Sequence, residues 1–233
     1  MEPKSVGDPS ASPPTFRPSD PGAEEHERQE AARRRREGEQ LWSEATKVDG
    51  VDKRHVDALY KVDAQGKSLL WQHRQWREAF DRAWRIVSAG GMVVLLGPRG
   101  TGKTQMAAAL IRQGCLGGKS CQYVRCRQVG AEIRETYDQK GARALDVIRS
   151  YAYEHWLLVL DEVQQQVRSA HERDTLSELI DRRYGQGLPT AMLAPITVQE
   201  FSDLMSEDVV SRVHEGGGAI PFDWPSFRNN ERT

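Results

Sequence analysis

Apolar and polar positions change their rhythm several times along the chain. Residues 1–22, "MEPKSVGDPSASPPTFRPSDPG", hold almost nothing apolar and many Pro, Ser, Gly and Asp. Such a stretch cannot offset the entropy of ordering and is expected to be disordered. Residues 23–48 are dense in Ala, Glu, Arg and Gln, good helix formers, with few apolar residues before Leu41 and Trp42 and a weakening Gly38. This predicts a helical arm with little face to bury at home, either solvated or docked on a partner. Val48–Val62 reads as a short mixed linker. In "HRQWREAFDRAWRIVSAGG", Trp76, Phe80, Ala83, Trp84 and Val87 recur every three or four residues, one face of a helix that stops at Gly90 and Gly91.

Beyond Gly91 the pattern alternates between short continuous apolar runs and longer amphipathic segments. "MVVLL", "CQYVRC", "WLLVLD", "PTAMLA" and "AIPFDW" read as strands. "QVGAEIRETYDQK", "ARALDVIRSYAYE", "HERDTLSELIDRRYGQG", "TVQEFSDLM" and "EDVVSRVHE" read as helices. Such alternation predicts an α/β fold, a parallel sheet covered by helices on both faces.

Composition narrows the picture only at its edges. The 233 residues carry a formal net charge of −1, so any nucleic-acid surface must be a local patch. Three cysteines fit a reducing compartment, and the C-x4-C spacing of Cys121 and Cys126 has no second pair to make a zinc site. No apolar run reaches the ~20 residues of a membrane span, and the N-terminus has no secretory core. A soluble, cytoplasmic protein with no membrane partner is expected.

The candidate chemistry sits directly after "MVVLL". "GPRGTGKT", Gly97–Thr104, is G-x-x-x-x-G-K-[ST] between a strand and a helix, the P-loop pattern. Glycines at 97, 100 and 102 let backbone amides converge on phosphate, and the helix N-terminus adds its positive end. Gly97, Pro98, Arg99, Gly100, Thr101, Gly102, Lys103 and Thr104 are therefore the expected nucleotide-binding run. Lys103 should reach the β and γ phosphates of ATP, and the Thr104 hydroxyl should ligate Mg²⁺. The pattern calls for an acid at the end of a second buried strand, and "WLLVLDEV" supplies it. Asp161 should hold Mg²⁺ through water, and Glu162 should orient or deprotonate the attacking water. An Asp-Glu pair favours ATP hydrolysis of the additional-strand type over kinase-like transfer.

From Val51 to Trp224 the chain resembles the AAA+ ATPases of the DnaC/IstB group, replicative helicase loaders and transposition helpers. The resemblance rests on both motifs above and on three further stretches: "GVDKRHVDA", "ELIDRRYGQGLPTAML" and "EDVVSRVHEGGGAIPFDWPSFR". It implies a P-loop NTPase three-layer sandwich over residues 49–227, a tail at 228–233, and no C-terminal lid domain. It also implies that Gly50–Ala58 lies near the nucleotide base. Arg212 then corresponds to an arginine finger reaching the γ-phosphate of a neighbouring copy, so self-association in trans is expected. The expected partners are a replicative DNA helicase and single-stranded DNA, in a bacterium or a phage-infected host. One departure stands out. The group's Asn after "ML", which positions the attacking water, is Pro195 here, with no side-chain donor; Thr197 is the available substitute. Slow hydrolysis follows, and with it a rival reading as a nucleotide-responsive scaffold; a transposition helper is the other rival. For DNA, "YVRCRQ" sets Arg125 and Arg127 beside Tyr123, with Arg134, Tyr137, Lys140, Arg143 and Arg149 following and the run Arg33–Arg36 as a further candidate.

Overall fold

The computed structural model of the protein describes residues 21–47, 50–63, 65–68, 70–136, 142–165 and 170–227. Five strands form one parallel sheet: β1 (Met92–Leu96), β2 (Cys121–Arg125), β3 (Leu157–Asp161), β4 (Thr190–Ala194) and β5 (Gly218–Pro221), in the order β2-β3-β4-β1-β5. The helices among the described residues are α1 (Pro21–Ala45), α2 (Lys53–Ala58), α3 (Arg74–Ser88), α4 (Lys103–Leu116), α5 (Cys126–Glu135), α6 (Ala142–Tyr153), α7 (Ala170–Gly185), α8 (Val198–Leu204) and α9 (Glu207–Gly216). None of the helices described is long and apolar enough to cross a membrane.

The strands read as continuous apolar runs because both faces of the sheet are covered. All five residues of β1 and of β4 are buried. Val93, Leu95, Val159 and Leu193 face one core, shared with Trp76, Phe80 and Val87 of α3 and with Leu110 and Ile111 of α4. Val94, Leu96, Leu158, Leu160 and Met192 face the other, shared with α5, α6, α7 and α9. The predicted three-layer arrangement is thus present. In register, Val94 and Leu160 both pair with Met192, so β4 lies between the strand that feeds the P-loop and the strand that ends in Asp161.

Three elements differ from the sequence reading. The second half of α1 is not an arm without a home face. Trp42 is buried in the α3/α4 core, with Leu41 and Ala45 packed against it. Gly38 makes this possible: a Cβ there would stand 2.9 Å from the Cys115 carbonyl oxygen and 3.0 Å from Leu116 Cα. A residue that weakens an isolated helix here allows α1 to approach the end of α4. Arg33–Arg36, one turn earlier, are exposed. The linker holds helix α2 with Val51 and Leu59 buried at its ends. The last strand stops at Pro221, and Phe222–Phe227 continue as a strap rather than a strand. The predicted disordered stretch at 1–20 and the tail at 228–233 lie outside the described residues.

At the opposite edge of the sheet from the motif ends, Arg183 is fully buried. Its guanidinium donates to the carbonyls of Tyr151, Ala152, His155, Trp156 and Pro189 and to the Thr190 hydroxyl. Burial pulls it down to about 10, still a cation at neutral pH. It ties the end of α6, the approach to β3 and the start of β4 to α7.

Candidate nucleotide site

The C-terminal ends of the parallel strands converge at one edge, where ligands of open α/β sheets sit. A cleft of about 920 Å³ opens there. β1 runs into Gly97, whose φ of +134° and crowding against Phe222 leave no room for a side chain. The loop turns again at Gly100 and Gly102, with φ of +87° and +94°, and α4 starts at Lys103. Gly100, Gly102, Lys103 and Thr104 line the cleft with Arg99. Thr101 is buried behind it, its hydroxyl donating to the Pro98 carbonyl. The Lys103 ammonium donates to the Gly97 and Pro98 carbonyls at 2.6 and 2.7 Å.

β3 delivers the second motif to the same cleft. Asp161 Oδ2 accepts from the Thr104 hydroxyl at 3.4 Å, across 57 residues of sequence. Glu162 follows with φ of +56°, the only non-glycine with positive φ among the described residues. That conformation costs on the order of 1 kcal/mol. It is held by two hydrogen bonds: Glu162 N–H donates to Asp161 Oδ1 at 2.7 Å, and Gln165 N–H to the Glu162 carbonyl at 2.9 Å. The turn leaves both carboxylates bordering the cleft. The Thr104 hydroxyl and the Asp161 carboxylate are neighbouring hard oxygen donors, which fits Mg²⁺ completed by phosphate oxygens and water. Pro195, at the end of β4, lines the cleft too, at the place where the resemblance expects an asparagine. Thr197, the substitute expected from sequence, is not among the residues that line the cleft. Its hydroxyl accepts from Glu200 N–H at 3.2 Å and donates to the Glu200 carboxylate, the capping box of α8.

The lead-in segment closes the other wall. Asp52, Arg54, His55 and Ala58 line the cleft, with Gln72 and His73 beyond them. Arg125 at the end of β2 donates to Asp52 at 2.9 Å. Tyr123 is buried, and its hydroxyl donates to Asp161 Oδ2 at 2.5 Å. Burial and the adjacent Asp161 carboxylate push the Tyr123 phenol up, so it stays a donor. Tyr123 and Arg125, singled out in the sequence as DNA candidates, therefore line the cleft, because β2 ends beside β3. Of the other basic candidates, Arg134 pairs with Glu172 and Arg149 with Asp146, while Arg127 is exposed. Tyr137, Lys140 and the Arg143 side chain lie outside the described residues.

Arg212 is not brought into this cleft. It projects from α9, forms an ion pair with Asp181 of α7, and lies over the Tyr184 ring, 5.7 Å from its centroid.

The geometry has a family counterpart. Residues 81–212 match the family described as IstB-like ATP binding protein. The chain belongs to that family. ATP binding is accordingly what the family supports for this chain. Among the family's curated relatives, the replicative helicase loader DnaC of Escherichia coli (strain K12) is 29% identical over 172 residues, 73% of this chain and 67% of that protein. A putative ATP-binding protein in an insertion sequence of Mycobacterium tuberculosis (strain ATCC 25618 / H37Rv) is 27% identical over 157 residues, 64% of this chain and 61% of that one. The crystal structure of the DnaC helicase loader superposes with a TM-score of 0.58 at 17% identity, over 72% of this chain and 98% of that one, a likeness of fold. The chain thus spans about two thirds of the length of the curated relatives it matches.

Sequence reasoning missed Tyr123, Trp76, Trp224 and Phe227 as parts of this region. A tryptophan on an apolar helix face or in an apolar run reads as core, a tyrosine beside arginines as a DNA candidate, and neither spacing says that the polar tip meets a motif.

Proposed function

We propose that the protein is an ATP-dependent helicase loader of the DnaC type, which binds DNA and delivers a replicative DNA helicase during the initiation of replication. The observation that carries this reading is the meeting of Lys103, Thr104, Asp161 and Glu162 in one cleft, within the stretch related to DnaC. In it the Gly97–Thr104 backbone and Lys103 hold the triphosphate, and Glu162 orients and deprotonates the attacking water. Thr104, directly, and Asp161, through water, would hold Mg²⁺, which supplies charge neutralisation on the phosphates. Arg212 of a neighbouring copy completes the site, since within one copy it lies with Asp181 and Tyr184 instead. Pro195 offers the water no donor, so turnover is slow and ATP acts chiefly through assembly.

The helicase-binding element is the first half of α1, and single-stranded DNA follows the inner side of the assembled copies. Removal of residues 1–32 leaves Gly38 and Trp42 in place. It should abolish capture of the host's replicative helicase while ATP binding survives; capture by the shortened chain, or no capture by the full chain in any nucleotide state, rejects the loader reading. A transposition helper is the second reading, favoured by the relative found in an insertion sequence. ATP-dependent stimulation of a transposase encoded beside this gene would establish it instead.

A further inference from the structure

Three successive carbonyls of the P-loop accept hydrogen bonds from outside the loop. Gly100 O accepts from the Phe227 N–H at 2.9 Å. Thr101 O accepts from the Trp224 indole N–H at 2.9 Å. Gly102 O accepts from the Trp76 indole N–H at 3.2 Å, alongside the Met106 N–H of α4 at 2.9 Å. Trp76 comes from α3; the other two come from the strap after β5, which is itself anchored by Phe222 N–H on the Leu96 carbonyl at 2.6 Å. The strap is pressed on the loop: a Cβ on Gly102 would lie 2.8 Å from the Phe227 ring and 3.0 Å from Trp76 Nε1. Phe227 also stacks on His73 at 4.5 Å, at the cleft wall.

In a trans peptide the C=O of one residue and the N–H of the next point to opposite sides. Anchoring the carbonyls of Gly100, Thr101 and Gly102 on the aromatic side therefore turns the N–H groups of Thr101, Gly102 and Lys103 the other way, towards the cleft. These are the amides a phosphate cradle needs. We infer that Trp76, Trp224 and the Phe222–Phe227 strap are positioning residues that set the amide orientation of the P-loop and thereby its affinity for the phosphate chain. The inference rests on the ATP-binding reading of the cleft, but it concerns the phosphate portion alone and adds no catalytic group. It makes the strap a working part of the nucleotide site, joined to the loop by hydrogen bonds, with the Phe227 ring at the cleft wall.

Trp76→Phe and Trp224→Phe keep a ring and remove the donor. Titration of the full-length variants with ATP and with inorganic tripolyphosphate, both with Mg²⁺, is the test. Each variant should weaken both ligands by the same factor, about five- to twentyfold for one buried hydrogen bond. Trp84→Phe, which removes an indole packed on Trp156 far from the loop's carbonyls, should leave both affinities as in the wild type. The amide resonances of Gly100 and Gly102 should also move in the two test variants without any ligand. Folded variants with wild-type affinities, or with unmoved Gly100 and Gly102 resonances, overturn the inference. A wild-type protein that binds tripolyphosphate but not ATP would sink the ATP reading and leave the inference standing on its own measurement. If one phenylalanine variant does not fold, the other carries the test by itself, since each removes a separate donor to the loop.

Discussion

Asp161 is bound from three directions: by the Thr104 hydroxyl, by the Tyr123 phenol and, on its other oxygen, by the Glu162 amide. The Tyr123 bond is short and charge-assisted, the strong kind. Tyr123→Phe should therefore lower the stability of the protein by about 1–3 kcal/mol, read by urea unfolding; no change would show that Asp161 does not depend on it. On the proposed ATP site, Lys103→Ala should weaken ATP binding at least about tenfold, by loss of the loop's ammonium. Binding as in the wild type would remove the P-loop from the function altogether. That Lys103, Thr104, Asp161 and Glu162 meet in one cleft was legible because their motif spacing is tied to one chemistry. Tyr123 was not. The residues at 123 and 161 meet only because β2 pairs with β3, and a buried tyrosine has many reasons to be buried.

Elements were legible wherever burial imposes a period. Each strand of the sheet is a short apolar run because two layers of helices cover it, and α3 shows its buried face in the spacing of Trp76, Phe80, Ala83 and Val87. The home of α1 was hidden because its docking needs a gap rather than a stripe. Gly38→Val should cost about 1–3 kcal/mol by overpacking against Cys115 and Leu116. Gly185→Ala, with open space around its Cβ and no positive φ, is the matching control and should be neutral or slightly stabilising in the same thermal melts. Arg183 marks the other kind of hidden element. In sequence it is one of two arginines near the end of an amphipathic helix; in the fold it serves the carbonyls at the ends of several elements. Arg183→Met should destabilise by about 3–5 kcal/mol, since those acceptors lose their donor in a dry place. A calorimetric melt within a degree of the wild type would contradict that.

At the scale of the whole molecule, the cleft holds one set of groups and Arg212 stands apart from it. Arg212→Ala should leave ATP affinity intact and slow hydrolysis by ~10³-fold. Mixing Arg212→Ala with Lys103→Ala should restore part of the activity, because one copy supplies a sound P-loop and the other a sound guanidinium. Two inactive proteins that stay inactive together would place Arg212 outside any shared site. The sheet order was not legible in the rhythm of the chain, which says that strands are parallel but not which are neighbours. The strap was invisible for a similar reason: "PFDW" continues an apolar run, and only the tertiary structure shows the chain leaving the sheet to cross the P-loop. That crossing also fits the molecule with a gauge. Two of the three groups bonded to the loop are indoles, and the emission of an indole shifts with the electric field of the dipole its N–H meets. If ATP tilts those loop carbonyls, the emission of Trp76 and Trp224 should shift, and tryptophan fluorescence of the unlabelled protein would read it without a probe.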